Sequence, residues 1–126
     1  MATYSALRGG WPSLFILPGK PPSKPRPRFG KGRAYASTEQ KAAERATGLQ
    51  LRSHHPELLE GPLVVVMTFY VPDAHRRDAD NLVKHLWDAA NGVIWNDDSQ
   101  VKRSAQLVEI DRANPRTEVL LGLLDC

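Results

Sequence analysis

Leu63-Val64-Val65-Val66-Met67-Thr68-Phe69-Tyr70-Val71 is a block of β-branched, aromatic and aliphatic side chains closed by Pro62 and Pro72. That composition, at that length, predicts a strand in the middle of a sheet. Further on, Leu82, Val83, Leu86, Trp87 and Ala90 recur at the spacing of one helical face, while Asn81, Lys84, His85 and Asp88 fall on the other, so a helix is expected from Asp80 to Asn91, stopped by Gly92. An earlier helix is announced by Ser37-Thr38-Glu39-Gln40, with Ser37 as cap, and should run to about His54, before Pro56. Its apolar side, Ala42, Ala43, Ala46 and Leu49, is small, which suits close packing on a sheet or on a second copy of itself.

Shorter signals complete the pattern. Leu14 to Leu17, closed by Pro18-Gly19, reads as a first strand; about Val101 to Ile110 and Thr117 to Leu123 read as the last two, joined across Asn114-Pro115. Lys20 to Arg33, with four prolines and two glycines, is expected to be an extended loop. Two helices and four or five strands in this order predict a small α+β domain with both helices on one face of a mixed sheet. The domain should span 13–126, preceded by a mobile arm at 1–12, with Trp87 and Trp95 in its core.

Length and composition add bounds. A chain of 126 residues supports one modest core. The single cysteine, Cys126, allows no internal disulfide, and no run approaches the roughly 20 apolar residues that span a bilayer. With no secretory signal at the amino terminus, a cytoplasmic protein that contacts no membrane is the simple expectation. The net charge of +3 hides a polarity: seven Arg or Lys and no acid lie before Glu39, against ten basic and fourteen acidic residues from Glu39 onward. Lys20, Lys24, Arg26, Arg28, Lys31 and Arg33 could form a strip that tracks a phosphate backbone, the bland alternative being a solvated charged loop.

The acidic residues are clustered too. Five of the ten Asp and Glu after Glu60 fall between Arg76 and Val101: Asp78, Asp80, Asp88, Asp97 and Asp98. Asp78 and Asp80, two apart, point to one side of an extended segment, and Asp80 could equally cap the helix that follows. Capping leaves Asp78 and the Asp97-Asp98 pair unexplained, since close like charges repel unless a cation intervenes. Oxygen ligands without paired His or Cys suit Mg2+ or Mn2+ better than zinc. Lys84, one turn after Asp80, could contact a phosphate or simply pair with Asp80 or Asp88. On this reading the site lies where the Asp78–Asp80 loop meets the Asp97-Asp98 turn.

The order Arg76-Arg77-Asp78-x-Asp80-Asn81-Leu82-x-Lys84, then Asp88, Gly92 and Asn96-Asp97-Asp98-x-Gln100-Val101, resembles the signature of the RusA family of Holliday junction resolvases. Pro18-Gly19-Lys20-Pro21, Arg26-Pro27-Arg28 and Gly32-Arg33-Ala34-Tyr35 are similar to that family's opening, so the likeness runs from Phe15 to about Val108. The resemblance implies that Asp78, Asp80 and Asp98 are essential carboxylates and Lys84 an essential base or phosphate contact. Asp97 matches an acidic neighbouring position. It also implies a Mg2+-dependent endodeoxyribonuclease, with Mn2+ as substitute and no organic cofactor, acting as a two-fold homodimer on four-way junctions in recombination and repair. Arg76 and Arg77, with the early basic strip, would hold the DNA backbone. Two rival classes stay open: a metal-dependent nuclease for another branched DNA or RNA, and a junction-binding protein without catalysis.

Overall fold

The computed structural model describes residues 13–24, 28–30, 33–35, 38–54, 57–75 and 77–124, the segments 28–30 and 33–35 as backbone alone. Their elements are β1 (Ser13–Pro18), β2 (Arg28–Gly30), β3 (Arg33–Tyr35), α1 (Thr38–His54), β4 (Leu63–Val71), α2 (Ala79–Ala90), a 3-10 turn (Asp98–Gln100), β5 (Val101–Ile110) and β6 (Arg116–Leu123). Four strands form one sheet in the order β1-β6-β4-β5. β6 is antiparallel to both β1 and β4, whereas β5 is parallel to β4. This is the mixed-sheet α+β architecture the pattern predicts.

β4 lies inside the sheet because it can hide one whole face. Leu63, Val65, Met67, Phe69 and Val71 are buried while Val64, Val66, Thr68 and Tyr70 are half-buried, so an unbroken apolar run resolves into period-two burial. The buried face joins Phe15 and Leu17 of β1 and Val119 and Leu121 of β6 under Leu51 of α1 and Leu82, Leu86, Ala89 and Ala90 of α2. Both helices therefore cover the same side. Trp95 is 2% exposed, donates from Nε1 to Asn91 Oδ1 (2.7 Å) and packs edge-on against Trp87.

Three local expectations need correction. The loop expected over Lys20 to Arg33 is interrupted by the antiparallel β2–β3 pair, with Phe29 opposite Ala34 and Arg28 opposite Tyr35. The last proline before it is Pro27, and Phe29 and Tyr35 favour extended backbone. On α1 the buried residues are Thr47, Gly48 and Leu51, whereas Ala42, Ala46 and Leu49 are exposed. Small size at one position, not an apolar stripe, sets that helix's orientation: a Cβ on Gly48 would stand 3.3 Å from the Ala89 carbonyl of α2, so bare backbone makes the close approach. Finally, α2 starts at Ala79 with Asp78 as its N-cap, so Asp80 is already helical. Ser37, the expected cap of α1, lies outside the described residues, as does the arm at 1–12.

β5 departs from the usual environment of a parallel strand. Parallel pairs are normally covered on both faces. Here, after a half-buried Val101, every residue from Lys102 to Ile110 is exposed, with Leu107 at 47%, Val108 at 42% and Ile110 at 52%. Among the described residues β5 pairs only with β4, so its outer edge offers unpaired backbone groups to another chain.

The two sides of the sheet should respond differently to truncation. Leu82→Ala, at a site with no exposure, is expected to cost about 2–5 kcal/mol in urea denaturation, while Leu14→Ala, at 61% exposure, should stay within about 0.5 kcal/mol.

Candidate active site at the head of the second helix

The chain leaves β4 through a loop that its own side chains hold. Arg77 Nη2 donates to Asp73 Oδ1 (2.8 Å), and Arg77 Nη1 donates to the Asp73 and His75 carbonyls (3.2 Å each). The Asp73 carboxyl also accepts the His75 N–H at 3.1 Å. Its pKa lies below the ordinary carboxylate value: desolvation, the largest single influence, acts upward, but the hydrogen bonds and charge of Arg77 and the His75 amide together outweigh it. Arg77 thus shapes the loop that presents the acidic pair. Arg76 lies outside the described residues, as do Arg26 and Lys31.

Asp78 and Asp80 then share the first turn of α2. Asp78 is extended (φ −84°, ψ 112°) and its Oδ1 accepts the Asp80 N–H at 3.0 Å, which satisfies one of the helix's free donors. Asp80 reaches forward to Lys84 across one turn, Oδ2 to Nζ 3.0 Å, with both side chains more than half exposed. Hydrogen bonding to Asp80, then its charge, raises the Lys84 pKa above the ordinary lysine value, and Asp78 and Asp88 add to the effect. Lys84 is therefore held as a cation. That favours phosphate contact over general-base work in this state.

The early basic segment meets the same helix. The Lys24 N–H donates to the Asn81 carbonyl (2.9 Å), and Lys24 Nζ pairs with Asp88. Spacing within either segment could not reveal this contact, because it joins residues 64 apart. Lys20 lies exposed nearby, on the turn after β1. Arg28 and Arg33 fall on β2 and β3, which places their backbone only.

The second acidic pair sits elsewhere. Asp97 caps the 3-10 turn, its Oδ2 accepting the Ser99 N–H at 3.0 Å, and hydrogen bonding from Ser99 lowers its pKa. Gln100 closes the motif: its Oε1 accepts from the Asn96 and Asp97 amides, while its Nε2 donates to the Leu59 and Gly61 carbonyls at 3.0 and 3.1 Å. Those carbonyls precede β4. Parallel register sets Leu63 beside Val101 and Val71 beside Ile110, so Asp97 and Asp98 lie at the foot of β4 and Asp78 and Asp80 at its head. The 12 residues of α2 between them rise about 18 Å. The expected meeting of the two turns does not occur within one chain, and the described residues contain no group of three His, Cys, Asp or Glu fit to hold a metal ion.

A further correction concerns His85, expected on the polar face of the helix with Asn81, Lys84 and Asp88. It is 2% exposed, and its Nε2 lies 2.9 Å from Thr47 Oγ1 on α1. Burial depresses its pKa despite the opposing charges of Glu44 and Asp88, with Lys24 adding to the depression. The signal was present in sequence: Leu82, His85, Leu86 and Ala89 follow the i, i+3, i+4, i+7 stripe that faces a core.

These features coincide with a family assignment. A family model described as endodeoxyribonuclease RusA matches residues 18–121, from the last residue of β1 into β6. The chain belongs to the RusA family, whose members are endodeoxyribonucleases that act on branched DNA junctions in recombination and repair. No individually curated protein matches the chain.

Capping and charge pairing can be separated experimentally. Asp78→Ala is expected to lower stability by about 1 kcal/mol through loss of the cap, read by urea denaturation. Asp80→Asn should return the Lys84 ammonium toward the ordinary lysine pKa, a downward move visible in an NMR titration of its side chain.

Proposed function

We propose that this protein resolves four-way DNA junctions as a two-fold homodimer by Mg2+-dependent hydrolysis, cutting two symmetry-related strands. The observation that carries the reading is the Asp78–Asp80–Lys84 cluster at the head of α2, in a chain of the RusA family. A strand-to-helix junction on a rigid sheet holds such side chains in place.

The donor chemistry fits a hard cation, since Asp78 and Asp80 supply carboxylate oxygens on one exposed turn. Two protein ligands with water and phosphate oxygens could suffice for Mg2+, but the required Asp98 stands at the other end of the sheet. A second copy offers the missing carboxylate. If β5 pairs with its own copy in antiparallel fashion about Gln106, Arg103 faces Glu109 of the partner subunit, and Val101 faces Asp111 of the partner subunit. Opposite charges meet twice across the axis. The same pairing carries Asp98 of the partner subunit to the head end, toward Asp78 and Asp80. Both active sites would then be shared between subunits, and a two-fold enzyme would match a substrate with two equivalent cuts.

When bound, the ion supplies Lewis-acid stabilisation of the phosphate and acidifies water. Asp78, Asp80 and the partner subunit's Asp98 would hold it. Lys84, released from Asp80 as that carboxylate turns to the ion, would neutralise charge on the phosphate. Lys20, Lys24 and Arg77, with Arg26, Arg28, Lys31, Arg33 and Arg76, would hold the strand by its backbone, which orients it without reading bases. Asp97, engaged in its cap, would keep the Asp98 turn in shape.

The test uses a synthetic mobile four-way junction with Mg2+, alongside flap and RNA substrates of equal length. Paired symmetric nicks in the junction are expected. Asp80→Asn and Asp98→Asn should each abolish cleavage, and co-refolding the two variants should restore single nicks, because one of the two shared sites then regains every carboxylate. Failure of the mixture to cut would rule out shared sites, and cleavage of flaps or RNA in preference to junctions would rule out the resolvase reading.

A further inference from the structure

A cleft of about 290 Å³ opens beside the proposed cutting site, between α1 and the turn that follows β1. Its floor is apolar and rigid: Phe69, Leu82 and Leu86 are at most 4% exposed. Ala46 and Gln50 form one wall, Lys20 and Pro22 the other, all four exposed. Two buried polar groups, Thr47 and His85, meet at its inner end, hydrogen-bonded to each other. A neutral imidazole and a hydroxyl together present both a donor and an acceptor.

We infer that this cleft receives one unstacked base of the DNA strand whose phosphate is held at Asp78, Asp80 and Lys84. The inference rests on that assignment of the cutting site. A base is a flat ring with apolar faces and polar edges, and the cleft matches it with an aliphatic and aromatic floor, a polar inner end and a cation at the rim. Lys20 at the mouth complements the phosphate that an inserted base carries with it. At about 290 Å³ the cleft stands at the small end of ligand sites, ample for a single base but small for a folded peptide segment. Leu82, His85 and Leu86 face the cleft from the same turns of α2 that carry Asp80 and Lys84. The two sites are thus one helix diameter apart, about 10–12 Å, within reach of a few nucleotides at about 3.4 Å per stacked phosphate. Bases next to the crossover of a junction are the easiest to supply, because unstacking costs least where pairing is already interrupted.

Junctions carrying 2-aminopurine at successive positions around the crossover test this, with divalent ions chelated so that the strand stays whole and with protein at saturating concentration. At one position wild-type protein should raise the emission severalfold, as expected of a base leaving the stack. Ala46→Phe, which fills the cleft from its exposed wall, should remove that rise and slow cleavage of the unlabelled junction in Mg2+. A rise undiminished in Ala46→Phe, or no rise with a wild-type protein that cuts normally, would overturn the inference and leave the cutting-site assignment standing. A rise that Ala46→Phe removes, in a protein that cuts no substrate, would support the base cleft and sink the catalytic reading instead.

Discussion

The parallel pairing of β4 with β5 is the constraint from which the rest follows. A parallel neighbour cannot be reached by a tight turn, so the chain must travel the length of the sheet before it re-enters. Helix α2 makes that journey, and it carries Asp78 and Asp80 at its start while Asp97 and Asp98 follow its end. Two acidic groups only a helix and a turn apart in sequence are thereby sent to opposite ends of the molecule. The same strand pairing leaves β5 at the margin, with its outer edge exposed, and on the proposed pairing this is the edge through which a second copy would bring the groups together.

How far the sequence disclosed this depends on the kind of interaction. β4 was legible because its residues report their own environment: apolar side chains between two prolines have few alternatives to a buried strand. The helix after it was legible through its period, although its first residue was misplaced, because Asp at either of two positions can cap and only backbone geometry chooses Asp78. The orientation of α1 was not legible, since it turns on the Gly48 contact with Ala89 of another helix. His85 was misread because a titratable residue was assigned to water by type when its position put it with Leu82 and Leu86.

The candidate site was legible as a set of residues and not as a place. Repulsion between carboxylates argues for a cation only if the carboxylates are close, and proximity across a parallel crossover is a property of topology. The structure also gives the aspartates local duties, of which the sequence had offered only the pairing of Asp80 with Lys84. Asp78 and Asp97 each accept a backbone N–H at the start of a helical turn, and Asp80 holds Lys84. Acidic residues at helix starts are stabilised by the local dipole, so this cluster is tolerable before any ion arrives.

The engagement of Lys24 by Asp88, and of Arg77 by Asp73, has a consequence for DNA binding. A cation that must abandon its own carboxylate to meet a phosphate leaves that carboxylate bare, so the exchange displaces fewer condensed counterions than the count of basic side chains suggests. The dependence of affinity on ionic strength follows the number of counterions released. For this protein the slope should therefore be shallower than a tally of lysines and arginines in the sequence implies.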